Sequence, residues 1–188
     1  MRVVLALSLM CMMACAGAPS PKTLYLLRYD ASSPTKLTPG WPRVGLRGVA
    51  VAAYLDQPGL VVETAASEVR PAQNHLWAEP LDKGLAIFLR TAIASTLGEE
   101  VGMAARSAGD WEQSVSVFVE QFHGTMAGNA VLVATFWIAP ASGAAPSEYR
   151  FAQSLPLESE GYAGLVQVER ILAERLAAAI AATLPSDE

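Results

Sequence analysis

Cysteine is nearly missing from this 188-residue chain: its two copies, Cys11 and Cys15, both fall within the first fifteen residues. Beyond Cys15 no thiol remains, which excludes disulfide stapling, thiolate metal centres and cysteine catalysis from the body of the protein. Histidine is almost as scarce. His75 and His123 stand far apart, outside any HExxH-like spacing, and read as ordinary surface or loop residues. Charge is thin too: 13 basic against 18 acidic residues, 16% of the chain, with a net charge of −5. Without a basic run, the electrostatic footprint of a nucleic-acid binder is missing. No nucleophile elbow, phosphate-cradling glycine loop or dinucleotide fingerprint occurs. The paired carboxylates Glu99-Glu100, Glu158-Glu160 and Asp187-Glu188 lie at element ends and read as solvated caps. These absences point away from an enzyme and from any cofactor or metal. What is plentiful is apolar surface: 52% hydrophobic residues exclude a disordered chain and suit a single core.

The apolar residues are concentrated first at the amino terminus. Met1-Arg2 is followed by an uncharged run from Val3 to Ala18, too short for the ~20 residues of a membrane-spanning helix. Its length suits a secretory h-region. Met12-Met13-Ala14-Cys15 resembles a bacterial lipobox, with Met12 where leucine is usual. Cys11 competes, but the bulky Met10 before it fits processing poorly. The expected organisation is a lipoprotein-type signal peptide over 1–14, an acylated Cys15 and tether over 15–40, and a globular domain over 41–188. Two or more acyl chains on Cys15 would hold the protein stably at a membrane, where one anchors only marginally. Prolines 19, 21, 34 and 39 mark the tether, although Thr23–Leu27 is long enough to add a short edge strand.

Within the domain, Val44–Ala52 is β-prone and closes at Tyr54-Leu55-Asp56-Gln57-Pro58-Gly59, whose Pro-Gly is turn punctuation. Leu60–Thr64 and Glu68–Ala72 read as hairpin arms, the second short or on an edge because of Pro71. From Pro80 the period changes: Leu81, Leu85, Phe88, Leu89, Ala92, Ile93 and Leu97 share one helical face, and Gly98 fits the stop. Alternation returns over Ser114–His123 and Val131–Trp137 around a glycine-containing loop, which predicts a second hairpin. Tyr149–Leu155 adds a strand. Leu165, Val168, Leu172, Leu176, Ile180 and Leu184 give a closing helix, with Ser159 a candidate N-cap. The expected fold is α/β: one domain with a mixed, largely antiparallel sheet of five to six strands packed with two long helices.

One stretch is unlike filler: Trp77-Ala78-Glu79-Pro80-Leu81, at the entry of the first long helix. Structurally, the indole would cover the core edge and the carboxylate would face the helix's positive end. Functionally, an exposed Trp77 would be an aromatic anchor for a partner. Taken in order, the lipobox, Tyr25-Leu26-Leu27, Val44-Gly45-Leu46, Tyr54-Leu55-Asp56-Gln57-Pro58, Glu68-Val69-Arg70, Trp77–Leu81 and Gly161-Tyr162 resemble the ABC-type transport auxiliary lipoproteins, the family of paraquat-inducible protein C. The resemblance runs from Cys15 to about Leu184, and the YLDQP–WAEPL pair is its most specific part.

The resemblance implies a non-enzymatic lipoprotein anchored to the periplasmic face of the outer membrane. Its implied partners are an MCE-domain periplasmic protein and an inner-membrane ABC-type transporter, in a system that moves lipids or other hydrophobic molecules between membranes. A homo-oligomer stays open. The candidate contact or motif residues are Tyr54, Leu55, Asp56, Pro58, Trp77, Glu79, Pro80 and Leu81. A second reading is a lipid carrier that holds an acyl chain in a cavity lined by Trp41, Trp77, Trp111 and Trp137.

Overall fold

A computed structural model of the chain describes residues 20–30, 42–104 and 111–184. The elements run β1 (Thr23–Tyr25), β2 (Val44–Val51), a 3-10 turn (Ala53–Leu55), β3 (Gly59–Ala65), β4 (Glu68–Trp77), α1 (Leu81–Leu97), β5 (Val101–Met103), β6 (Gln113–Thr125), β7 (Asn129–Pro140), β8 (Ser147–Pro156) and α2 (Gly161–Thr183). One mixed sheet carries both helices on one face. There α1 packs on β2 and β5, α2 on β6, β7 and β8, and the helices pack on each other.

The α/β class and the two long helices match expectation, but the sheet has eight strands, not five to six. The extra strands are β1, the short edge strand that Thr23–Leu27 allowed, and β5, which at three residues is too short to show a period. β5 is held by register, Val44 opposite Val101 and Leu46 opposite Met103. The long ladders β6–β7 and β7–β8 are antiparallel, whereas β1–β4, β2–β5, β2–β6 and β3–β6 are parallel.

β6 organises the sheet. β7 follows one of its edges from Gln113 to Gly124. The other edge is shared: β2 covers Gln113–Val119, and β3 covers Gly124–Thr125, both running parallel to it. Ten residues (52–61) therefore stand opposite only four (120–123). The surplus leaves the sheet plane as a loop, and that loop contains the YLDQP segment.

Periodicity located the helices well. Leu85, Phe88, Leu89 and Ile93 are fully buried, and Gly98 ends α1 in the left-handed conformation with its N–H on the Ala94 carbonyl. At α2 the N-cap position belongs to Glu160, not Ser159, and no side chain caps it. The Ser159 carbonyl instead crowds Gly164, where a Cβ would sit 2.0 Å from that oxygen.

The surface or loop readings of His75 and His123 are corrected, and two open readings are resolved, at Pro71 and at Thr23–Leu27. β4 runs ten residues; Pro71 is accommodated because β1 pairs only with its last three, leaving the proline's side an outer edge among the described residues. His75 is not in a turn but in β4, half-buried, stacked on Tyr162 at 4.2 Å, with Nδ1 3.0 Å from the Tyr25 hydroxyl. His123 is buried in β6, its Nδ1 3.0 Å from the Gly124 carbonyl. The edge strand allowed over Thr23–Leu27 forms at Thr23–Tyr25: β1 lies along β4, Leu27 is buried, and Tyr29 meets Phe88 edge-on at 5.7 Å.

On the face opposite the helices, Gly45 and Gly102 sit side by side in register beneath the buried Trp111. A Cβ on Gly45 would lie 1.8 Å from the indole. We expect Gly45→Ala to cost about 1–3 kcal/mol in urea unfolding, from overpacking, and much of that cost to vanish in a Trp111→Ala background.

α2 also buries Glu169, whose carboxyl has an oxygen without a hydrogen-bond partner. Burial raises its pKa well above the ordinary value. A folded-state pKa above the unfolded one means stability is greatest below the unfolded value and falls as pH rises toward the folded one. Glu169→Leu should therefore stabilise the protein at neutral pH by about 1–3 kcal/mol, with the gain fading in acid, as read by thermal unfolding across pH.

Candidate functional site

The two motif segments, distant in sequence, meet in space. The loop that leaves the sheet after β2 brings residues 56–58 against residues 77–81, and between them lies a cleft of about 370 Å³. Backbone pairing fixes this approach: the Trp77 N–H donates to the Pro58 carbonyl at 2.7 Å, and the Ala78 N–H to the Tyr25 carbonyl at 2.8 Å. Gln57 braces its own loop, its amide oxygen accepting from the Gly59 N–H at 2.9 Å and its amide nitrogen donating to the Gly59 carbonyl. Gly59 is required there, since a Cβ would stand 2.4 Å from the Ala72 carbonyl.

Of the eight candidate residues, Asp56, Pro58, Trp77, Glu79, Pro80 and Leu81 line the cleft. Their exposures differ in a way the sequence did not disclose. Trp77 is only 7% exposed and stacks on Phe122, so it covers the core edge and is not a projecting anchor. Leu81 is also buried, while Asp56, Pro58 and Pro80 are exposed on the rims. Tyr54 and Leu55 lie behind the wall. Leu55 is buried in the core; Tyr54 donates its hydroxyl to the Glu120 carbonyl at 3.2 Å and meets His123 edge-on. Burial raises the Tyr54 pKa.

A residue outside the candidate set completes the cleft. Arg28 forms a forked ion pair with Glu79, Nη1 to Oε1 and Nη2 to Oε2, the second at 3.0 Å. The hydrogen bond from Arg28 lowers the Glu79 pKa and, reciprocally, raises that of Arg28. Glu79 therefore does not simply face the helix N-terminus: it ties the segment after β1 to the entry of α1. Nothing in the sequence singled out Arg28, because its partner is 51 residues away. With Glu79 paired to Arg28, the remaining charge on the cleft is Asp56, whose side chain makes no ion pair or hydrogen bond among the described residues. The chemistry is that of a preformed apolar notch with one acidic corner.

A second cavity, of about 170 Å³, lies where β3 and β6 meet the start of α2, between Val62, Thr125, Leu157 and Tyr162. The tryptophans do not gather around either space. Trp77 borders the cleft, Trp111 covers two glycines, Trp137 is half-buried on β7, and Trp41 lies outside the described residues. Cys11 and Cys15 lie outside them too. Among the described residues no group of three or more His, Cys, Asp or Glu is placed to hold a metal, and no helix is long and apolar enough to cross a membrane.

The sequence profile of the ABC-type transport auxiliary lipoprotein component family matches residues 25–181, a span that begins at β1 and includes both walls of the cleft. No curated protein matches the chain. Among solved structures, an uncharacterized protein is similar at a TM-score of 0.72 and 27% identity, with 86% of this chain and 97% of that one covered. The Xanthomonas campestris protein XCC0632 shares the fold at a TM-score of 0.64 and 15% identity, with 84% and 92% covered.

The Arg28–Glu79 pair has a definite pH signature. A carboxylate with a lowered folded-state pKa contributes stability above its unfolded pKa and loses that contribution as pH falls through the folded one. Both side chains are part-exposed, so Glu79→Gln should cost only about 0.5–1 kcal/mol at neutral pH. In urea unfolding, wild type and variant should converge below the ordinary glutamate range.

Proposed function

The chain belongs to the family of ABC-type transport auxiliary lipoprotein components, and from that premise we propose that it is a membrane-tethered docking subunit. Its acylated Cys15 holds it at the periplasmic face of the outer membrane, where it engages an MCE-domain protein of a transport system for lipids or other hydrophobic molecules. The role is non-catalytic.

The observation that supports docking is the convergence of YLDQP and WAEPL on one cleft whose walls are fixed before any partner arrives. Preorganised walls lower the ordering cost of binding, which is what a docking surface requires. Rim prolines 58 and 80 stiffen both lips. Asp56 offers the one uncommitted charge, suited to a basic group on the partner, where it would act mainly on association rate and selectivity.

Mild crosslinking and pull-down from the native envelope tests this reading. The acylated chain should recover an MCE-domain protein, and recovery should fall several-fold with Asp56→Lys but not with Ser142→Lys, on the β7–β8 connection. Cys15→Ala separates the contributions: weaker recovery means that the anchor concentrates the two proteins, and equal recovery means that the folded domain docks by itself. Absence of an MCE-domain protein from every pull-down would sink the docking role.

A further inference from the structure

We infer that the outward side of β1 is a membrane-contact surface, which seats the domain directly on the bilayer to which its lipid is anchored. This inference rests on the acylation of Cys15. Leu24 and Leu26 are 62% and 54% exposed, and they are the exposed leucines among the described residues. Elsewhere the fold buries leucine at least partly, on both helices and in the sheet. Val69, Phe118 and Met126 are exposed singly elsewhere, whereas Leu24 and Leu26 lie together in one short segment.

Strand alternation explains how the two are presented. Tyr25 and Leu27 turn inward, Tyr25 onto His75 and Leu27 into the core, so Leu24 and Leu26 point away from it on the same side. Lys22, also exposed, lies directly before the strand, and the register partner of Leu24 is the half-buried Leu76. The result is an apolar edge with a cation at its amino-terminal end. That composition suits the headgroup boundary of an anionic bilayer, where leucine enters the acyl region and lysine meets phosphate.

Position in the chain selects the bilayer as occupant over a protein. Leu24 lies nine positions after Cys15, so the strand lies at most about 30 Å from the lipid attachment at full extension, and closer in any relaxed conformation. β1 is the first described strand after the acylation site, and Arg28 and the Ala78–Tyr25 hydrogen bond lock the segment to the domain. Contact at Leu24 and Leu26 would fix the orientation of the domain and direct the neighbouring cleft.

The experiment uses the full chain, expressed so that lipidation proceeds, with its intact mass checked for acyl groups. Leu24→Cys and Ser142→Cys variants carry a thiol-reactive fluorophore and are bound to phosphatidylethanolamine–phosphatidylglycerol vesicles containing shallow nitroxide lipids. Ser142 is the reference because its connection lies at the opposite end of β6 and β7 from the sheet end where β1 packs. The label at residue 24 should be quenched several-fold more strongly than the label at residue 142. Equal quenching on vesicles that carry the protein would overturn the β1 contact and leave anchoring intact. A chain without acyl groups that fails to float with vesicles would overturn both. A label at 24 that is shielded only when envelope proteins are added back would assign the edge to a protein partner, which also overturns the inference.

Discussion

Two strands laid end to end along one edge of a third cannot both keep perfect register unless the chain between them has the right length. Here it does not. β2 stops opposite Val119 and β3 resumes opposite Gly124, with six more residues in the connection than in the facing stretch of β6, ten against four. β6 answers at the same point with a bulge: Val119 and Gln121 pair with consecutive β7 residues, and Glu120 is left over. The unpaired carbonyl of Glu120 then accepts the Tyr54 hydroxyl, and its carboxylate takes Thr135 at 2.8 Å and Arg150 at 2.8 Å. The bulge residue is thereby tied through both its carbonyl and its carboxylate to the loop and to the neighbouring strands. Eviction of the loop from the sheet, and hence one wall of the cleft, follows from this break in the ladder.

This origin separates two roles among residues that look alike in sequence. Tyr54 and Leu55 hold the loop in place, one by plugging the bulge and the other by inserting into the core. Trp77 and Leu81 form a floor whose indole already stacks on Phe122. Asp56, Pro58 and Pro80 are what a partner would meet. Aromatic residues are often hot spots at interfaces, but an indole with 7% of its surface exposed can contribute only a thin strip. The accessible chemistry is smaller, stiffer and more polar than the motifs suggest.

Much of the fold was legible in the sequence because each long element carries its own period. α1 shows its buried face at intervals of three and four, and β6 and β7 alternate, so both helices and the second hairpin were readable locally. β5 was not, since three residues hold no period, and only its register beside β2 makes it a strand. His75 and His123 were misread for a related reason: what surrounds them, Tyr162 and Tyr54, arrives from remote segments. The candidate site was legible as a pair of motifs but not as a place. Nothing in either pentapeptide says that it faces the other, and Arg28 has no local mark because its carboxylate partner is fixed by tertiary geometry alone.

The same geometry joins β1, and with it the proposed anchor, to the site. The chain that leads from Cys15 enters the domain through β1, whose last carbonyl holds Ala78 in the cleft wall, and three residues later Arg28 grips Glu79 in the same wall. An anchor attached through a flexible stalk would leave a docking surface free to rotate. Here β1 and Arg28 are themselves structural neighbours of the cleft, so a membrane anchor attached ahead of them would orient the cleft as well. A single part-exposed ion pair would be a weak fastening. Backed by the backbone bond at Ala78, the buried Leu27 and the Tyr25–His75–Tyr162 stack, it becomes one member of a set that must be broken together. Under the proposed anchoring, position relative to the membrane and presentation of the cleft would be set by the same few residues, at the end of the sheet where β1 joins β4.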